Sequence, residues 1–219
     1  MKKIFFTVLL VGFAVAGNAQ TVTGLGDTGS LIFRKSPDFN DANVQGSKYF
    51  SEDFKQAKVN KGTQDFSIRY NAYSDVMEYK NGNETLELIK DQNTYFQFAN
   101  GDVFELMSYE VKGNTVSRYN QILLDKDNVK VSKFKSIKLI EAKAPANSYD
   151  SATPASYKPN KDEYFITYND QTFEFDGKQK TLSKMIPAKL AEIKKFYKEN
   201  KIKENDADMI KLGNFLSTL

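Results

Sequence analysis

The stretch "FSIRYNAYSDVMEYKNGNETLELI", Phe66 to Ile89, decides the fold. Its apolar side chains alternate with period two, so Phe66, Ile68 and Tyr70 share one face of a strand, as do Met77 with Tyr79 and Leu86 with Leu88. The Asn81-Gly82 dipeptide marks a tight hairpin, because a type I′ turn needs positive φ at both central residues. The pattern continues outward. "TYFQFANGDVFELMSYE" places Phe96 with Phe98 and repeats the signal at Asn100-Gly101, while "KGN" at 112–114 and "DKDN" at 125–128 end further runs. Turns recurring every ~8–14 residues leave no room for crossover helices, which need about a dozen residues each, so the sheet is expected to be antiparallel. Ser67, Arg69, Glu87 and Gln97 occupy the opposite face, and this polar set reads as a side open to solvent.

A one-sided sheet needs a cover, and the C-terminal region supplies a helical pattern. Beyond an Ala/Ser/Pro-rich linker loop at 142–161, the strands "EYFITY" and "TFEFD" are joined at Asn169-Asp170. Ile186, Leu190, Ile193 and Tyr197 then recur at helical spacing, with Pro187 suited to the first turn and Lys189, Lys195 and Lys198 on other faces. Asn205 is the expected cap of a second helix, whose apolar positions are Ile210, Leu212, Phe215 and Leu216. Gly213 should weaken that helix slightly. Segment 20–60 is irregular apart from a candidate strand at "SLIFR". The expected class is α+β: mainly an antiparallel β-meander, forming a curved sheet or partial barrel, with two C-terminal helices at 183–219.

Residues 1–19 read as a secretory signal peptide, leaving a single β-rich domain at 20–219. Lys2 and Lys3 precede an apolar run from Ile4 to Ala16 that is too short for a bilayer span, and Gly17 and Ala19 suit cleavage after Ala19. Cutting after Ala16 is an alternative. The chain has no cysteine, so neither a lipid-anchored cysteine nor a disulfide is available, and stability must come from packing. The expectation is an exported protein of periplasm, cell surface or medium that is not an integral membrane protein after cleavage. Basic residues number 31 and acidic ones 28, and removing Lys2 and Lys3 brings the two nearly level. Such a balance argues against a nucleic-acid partner, which needs a sustained basic surface.

Three stretches carry a resemblance: "VQGSKYF…FKQAKV…IRYNAYSDVMEYK", the linker "EAKAPANSYDSATPASY", and "KKFYKENKIKENDADMIKLGNFL". Together they resemble a group of uncharacterised exported proteins of Bacteroidota, most specifically at Arg69–Lys80 and Lys194–Leu216. The resemblance implies a Gram-negative envelope and no particular activity. The "DSA" at Asp150–Ala152 is similar to the O-glycosylation acceptor of those bacteria, with Ser151 as the acceptor.

Histidine is absent as well as cysteine, which removes Ser-His-Asp and Cys-His nucleophile systems and His- or Cys-based metal sites. Gly24, Gly26 and Gly29 have dinucleotide-fingerprint spacing, but "SLIFRKSP" follows them where a helix is required. Tyr197 and Lys201 match a Tyr-x-x-x-Lys pair without the parallel sheet that pair needs. Ser132 and Lys135, a formal Ser-Lys dyad, alternate to opposite faces of a strand. "DKDNVKVS" has Lys130 where a calcium loop needs glycine. No cofactor, metal or catalytic residue is assigned.

Two further features remain. The lysines at 126, 130, 133, 135, 138 and 143 suit protection of an exposed sheet edge, or alternatively contact with an anionic envelope surface. A carboxylate-dependent hydrolase would have to draw on Asp75, Glu78, Glu163, Glu174 and Asp176, which turn chemistry and solvated strand faces already explain, so they are not expected to converge. The leading reading is a non-catalytic binding or envelope-associated domain. A carrier of an apolar ligand in the curved sheet and a carboxylate-dependent hydrolase are the alternatives.

Overall fold

The computed structural model describes residues 19–22, 31–37, 41–90, 94–145, 147 and 151–219. Residues 1–18 and Gly24, Gly26 and Gly29 lie outside them, and so does Asp150 of the acceptor motif. The chain is α+β, with a curved, mainly antiparallel sheet that does not close. β1 (Ala19–Val22) and β2 (Leu31–Lys35) lie beside a four-stranded meander of β3 (Lys55–Val59), β4 (Asp65–Asn71), β5 (Val76–Asn81) and β6 (Glu84–Leu88). Then follow β7 (Tyr95–Phe98), β8 (Val103–Val111), β9 (Asn114–Lys126), β10 (Val129–Phe134), β13 (Glu163–Tyr168) and β14 (Gln171–Phe175). Their spatial order is β1-β2-β6-β5-β4-β3-β7-β8-β9-β10-β13-β14. β11 (Ile137–Ile140) and β12 (Ser156–Pro159) form a separate pair.

Turn chemistry sets the registers, with two departures from the expected Asn-Gly hairpins. Asn81 pairs with Glu84, so the β5–β6 turn centres on Gly82-Asn83, and Gly82 alone takes positive φ, 60°. The Asn100-Gly101 hairpin has three loop residues. Its Gly101 sits at φ 92°, the left-handed residue that follows a type I turn. Asn169-Asp170, both at positive φ, form the two-residue turn expected of them.

The alternation at Phe66–Phe98 becomes the inner face. Phe66, Ile68, Met77, Leu86, Leu88, Phe96 and Phe98 are buried together with Phe33, Ala57, Val59, Leu106 and Tyr119. Strand β3 was invisible in the pattern because only Ala57 and Val59 point inward, among lysines and glutamine. The opposite face is not uniformly wet. Gln97 is exposed, but Glu87 and Glu78 are only 2% and 1% exposed. Tyr49, from the irregular segment preceding β3, donates its hydroxyl to Glu78 from above.

In the second half of the sheet both faces are covered. β9 inserts an extra residue at Leu123, bending the sheet as a bulge does. On one side Met107, Tyr109, Phe134 and Phe165 pack together. On the other, Val129, Val131, Ile166 and Phe173 meet three helices. Two helices were expected, but the region opens earlier with α1 (Gln179–Met185), followed by a 3₁₀ turn at Pro187–Lys189, α2 (Leu190–Glu199) and α3 (Asp206–Leu216). Pro187 interrupts the helical phase, so Ile186 and Ile193 are buried while Leu190 is turned out, 40% exposed. Lys189 is half-buried rather than exposed; Lys195 and Lys198 are exposed. Asn205 caps α3 as expected, accepting from the Asp208 N–H. Gly213 does more than weaken the helix: a Cβ there would stand 2.5 Å from Val131 Cγ2, so it permits the close approach of α3 to β9 and β10.

The linker region also departs from expectation. "NVKVSKFKSIKLIEA" leaves the main sheet after Phe134, and β11 pairs with β12, which lies inside the supposed linker. Tyr157 of β12 is buried beside Ala72 and Ile137, and its hydroxyl donates to Asp41.

Candidate functional site

A recess of about 230 Å³ opens where the inner-face core reaches the surface. Ile68 and Tyr70 of β4, Phe98 at the end of β7 and Phe104 of β8 form its apolar lining. Alternation on β4, β7 and β8, with β3 between the first two, aims all four inward, and the ring centroids of Tyr70 and Phe104 lie 5.3 Å apart, those of Phe98 and Phe104 5.8 Å. The irregular segment before β3 supplies the outer wall through Phe50, which is 42% exposed. Lys135, in the bend between β10 and β11, holds its ammonium 4.1 Å from the centre of the Phe50 ring. Asp102 is fixed at the rim by Gln121 Nε2 at 3.0 Å and by Asn100 Nδ2 at 2.7 Å. Aromatic floor and polar rim are the usual composition of a small-molecule site.

Behind Tyr70 lies a second layer. Its hydroxyl shares its one proton between Asp75 Oδ1 at 2.9 Å and the Lys135 carbonyl at 3.1 Å, tying the floor of the recess to its rim. Asp75 also accepts from the Tyr119 N–H and pairs with Lys90. Burial raises its carboxyl above the usual range, with Lys90, Tyr70 and the Tyr119 N–H opposing the shift. Burial and the Asp75 charge push the Tyr70 hydroxyl well up, so it stays protonated and orienting.

The five nominated acids divide into three groups. Asp75 supports the recess from behind. Glu78 is locked in a buried network: Arg69 Nε donates to it at 3.0 Å and Asn71 Nδ2 at 2.8 Å, and the Arg69 guanidinium lies between the Tyr49 and Phe54 rings, 3.8 and 4.2 Å from their centres. The remaining three share one face of the β13–β14 pair. Glu163, Glu174 and Asp176 line one open recess of about 650 Å³, because β13 and β14 pair so as to turn positions 163, 174 and 176 to the same face. Two of these carboxylates are ion-paired, Glu163 to Arg118 at 3.1 Å and Asp176 to Lys178 at 2.7 Å. Burial would raise Asp176, but hydrogen bonds from Lys178 and Thr181 outweigh it and hold the pKa at about 2. Among the described residues no three acidic side chains converge on a point that could hold a metal ion.

The lysine run is not one edge: Lys138 stands exposed on β11, an edge of the separate two-stranded pair, but the lysines of β10 do not lie on an edge. β10 lies between β9 and β13, so Lys130 pairs with Glu105 on one face and Lys133, almost fully buried, with Asp206 on the other. Lys135 belongs to the recess, and the set makes no continuous basic strip. Ser132 accepts from Asn120 in the core, away from Lys135. The Tyr197 hydroxyl donates to the Gly177 carbonyl, and Lys201 lies beyond the end of α2. Ser151 is exposed. Reading the sequence missed Phe50, Asp102, Phe104 and Gln121 as neighbours; only the curvature of the sheet brings them together.

The fold and recess define an α+β protein with a small, aromatic-lined pocket beside β4, β7 and β8 of a curved antiparallel sheet. Protein-family models, curated proteins and solved structures give no match to this chain. Among the described residues no helix is long and apolar enough to cross a membrane.

Proposed function

We propose that the chain is an exported, non-catalytic binding domain of a bacterial envelope, and that it holds a small ring-bearing molecule in the recess between Phe50 and Phe104. The observation that carries this is the pairing of an apolar floor with a half-buried lysine whose ammonium lies over an aromatic ring at the rim. The floor suits a ring, and Lys135 suits a polar or anionic substituent at its edge. The carrier reading narrows accordingly. Phe33, Phe96 and Tyr119 fill the sheet's interior, and the room left at the recess, about 230 Å³, fits a compact ligand rather than a long chain.

The hydrolase reading rests on Glu163, Glu174 and Asp176, which line one open recess. Glu163 and Asp176 are already engaged by Arg118 and Lys178, whereas a general acid needs a carboxyl that can reach the substrate with its proton. The two readings separate by experiment. Thermal-shift screening of ring-bearing carboxylates and neutral ring compounds should find stabilising ligands whose effect is lost in Lys135→Ala and kept in Glu163→Gln. A panel of glycosidic, ester and peptide substrates should give no turnover. Turnover abolished by Glu163→Gln would replace the binding reading with the hydrolase one.

A further inference from the structure

The helical cover carries a charge out of proportion to the rest of the chain. Between residues 178 and 203 there are nine lysines and two glutamates, in a protein whose total is nearly balanced. α1 and α2 lie against each other, and a recess of about 490 Å³ between them is lined by Lys180, Lys184, Leu190 and Lys194. Within this basic surface stand two of the exposed large apolar side chains, Met185 at 44% and Leu190 at 40%. Ser183 lines the same recess, and its buried hydroxyl has no hydrogen-bond partner among the described residues. Lys178 is neutralised by Asp176, but among the described residues Lys180, Lys184 and Lys194 have no ion-pair partner.

We infer that the α1–α2 face docks on an anionic phospholipid bilayer. Lysines at the phosphate level together with apolar side chains entering the acyl boundary are what interfacial binding requires. The glutamates of this face, Glu192 and Glu199, are outnumbered. A purely electrostatic partner such as a nucleic acid would account for the lysines but gives Met185 and Leu190 nothing to bury against. The surface lies on the helices, apart from the proposed ligand recess, and does not depend on it.

The test is co-sedimentation of the chain from Ala19 onward, which contains every described residue, with lipid vesicles. Vesicles containing about 30% phosphatidylglycerol should bind it and pure phosphatidylcholine should not, with binding weakened in high salt. Replacing Lys180, Lys184 and Lys194 by Gln should lower partitioning on the order of 100-fold, from the ~1 kcal/mol that each lysine contributes near a charged surface. The double variant Met185→Ser, Leu190→Ser should also lower it, while its unfolding midpoint stays within a few degrees of the parent because both residues are exposed. Failure of the parent chain to bind anionic vesicles at low salt would overturn the inference. So would binding unaffected by the double variant, or a preference for DNA that survives it, which would point to a polyanion instead.

Discussion

Glu78 and Glu87 stand directly opposite each other on β5 and β6, both buried, and each is held by an arginine from the strand on its far side. Arg69 of β4 reaches Glu78, and Arg34 of β2 reaches Glu87 at 3.0 Å. The four side chains form a row across four strands, which fixes the register of the first half of the sheet. Two buried carboxylates side by side are tolerable only with both cations present.

Arg69→Ala should therefore destabilise the protein by about 3–5 kcal/mol, the cost of leaving a buried charge without its partner. Arg34 is more exposed, and water can replace part of what it supplies, so Arg34→Ala should cost clearly less. Denaturant titration of the two variants checks the order. An equal cost for both would mean that burial of Glu78 is not what makes Arg69 necessary.

Ile193 is fully buried beneath α2, while Leu190 on the same helix faces outward. Ile193→Ala should cost about 2–4 kcal/mol. Leu190→Ala should stay within about 0.5 kcal/mol of the parent, as surface changes do. The reverse order would mean that the helix sits on the sheet with another face.

Gly213→Ala offers a case where propensity and packing disagree. Alanine favours a helix interior by about 1 kcal/mol over glycine. Its Cβ, however, would meet Val131 Cγ2 at 2.5 Å and Leu124 Cδ2 at 2.6 Å. Overpacking costs about 1–3 kcal/mol, so net destabilisation is expected. A stabilised variant would show that α3 has room to move away from β10.

Acid should loosen the helical cover before the meander. For Asp206, burial raises the pKa, but the hydrogen bonds from Lys133 and Tyr164 outweigh it and the net shift is downward; Asp176 is held at about 2. Groups lowered in the folded state contribute stability above their unfolded pKa near 3.8, and that stability is lost as pH falls from about 4 toward 2. Asp75 has the opposite sign. Its raised pKa means that its contribution is complete in acid and declines as pH rises through the folded value. Hydrogen-exchange protection factors of α3 should thus fall between pH 5 and about 2.5 relative to those of β4 and β5. Asp206→Asn should flatten that difference, and an unchanged profile would detach the cover's stability from the Lys133–Asp206 contact.

Period-two alternation from Phe66 to Phe98 was enough to reveal the antiparallel meander and its buried face, because each strand there carries its own signal. Where pairing rather than pattern makes the strand, nothing local announced it. β3 presents only Ala57 and Val59 inward, and β12 forms inside an Ala/Ser/Pro-rich segment because Tyr157 finds a pocket beside Ala72 and Ile137. Glu87 looked like a solvated strand residue since its partner, Arg34, lies 53 positions away. The recess was illegible for the same reason. Phe98 read as ordinary core, Phe50 and Phe104 carried no signal of their own, and Phe50 and Lys135 meet only because the chain leaves the main sheet after Phe134.

The central claim, that the Phe50–Phe104 recess holds a small ring-bearing molecule, is tested most directly by native mass spectrometry of the protein isolated from its own cells. The parent chain should carry one bound molecule small enough for about 230 Å³, released on denaturation and identifiable by its fragments. Phe50→Ala and Lys135→Ala, which alter only the partly exposed wall, should fold normally and emerge without it. A parent chain free of any small molecule, or a bound molecule retained equally by both variants, would contradict the account.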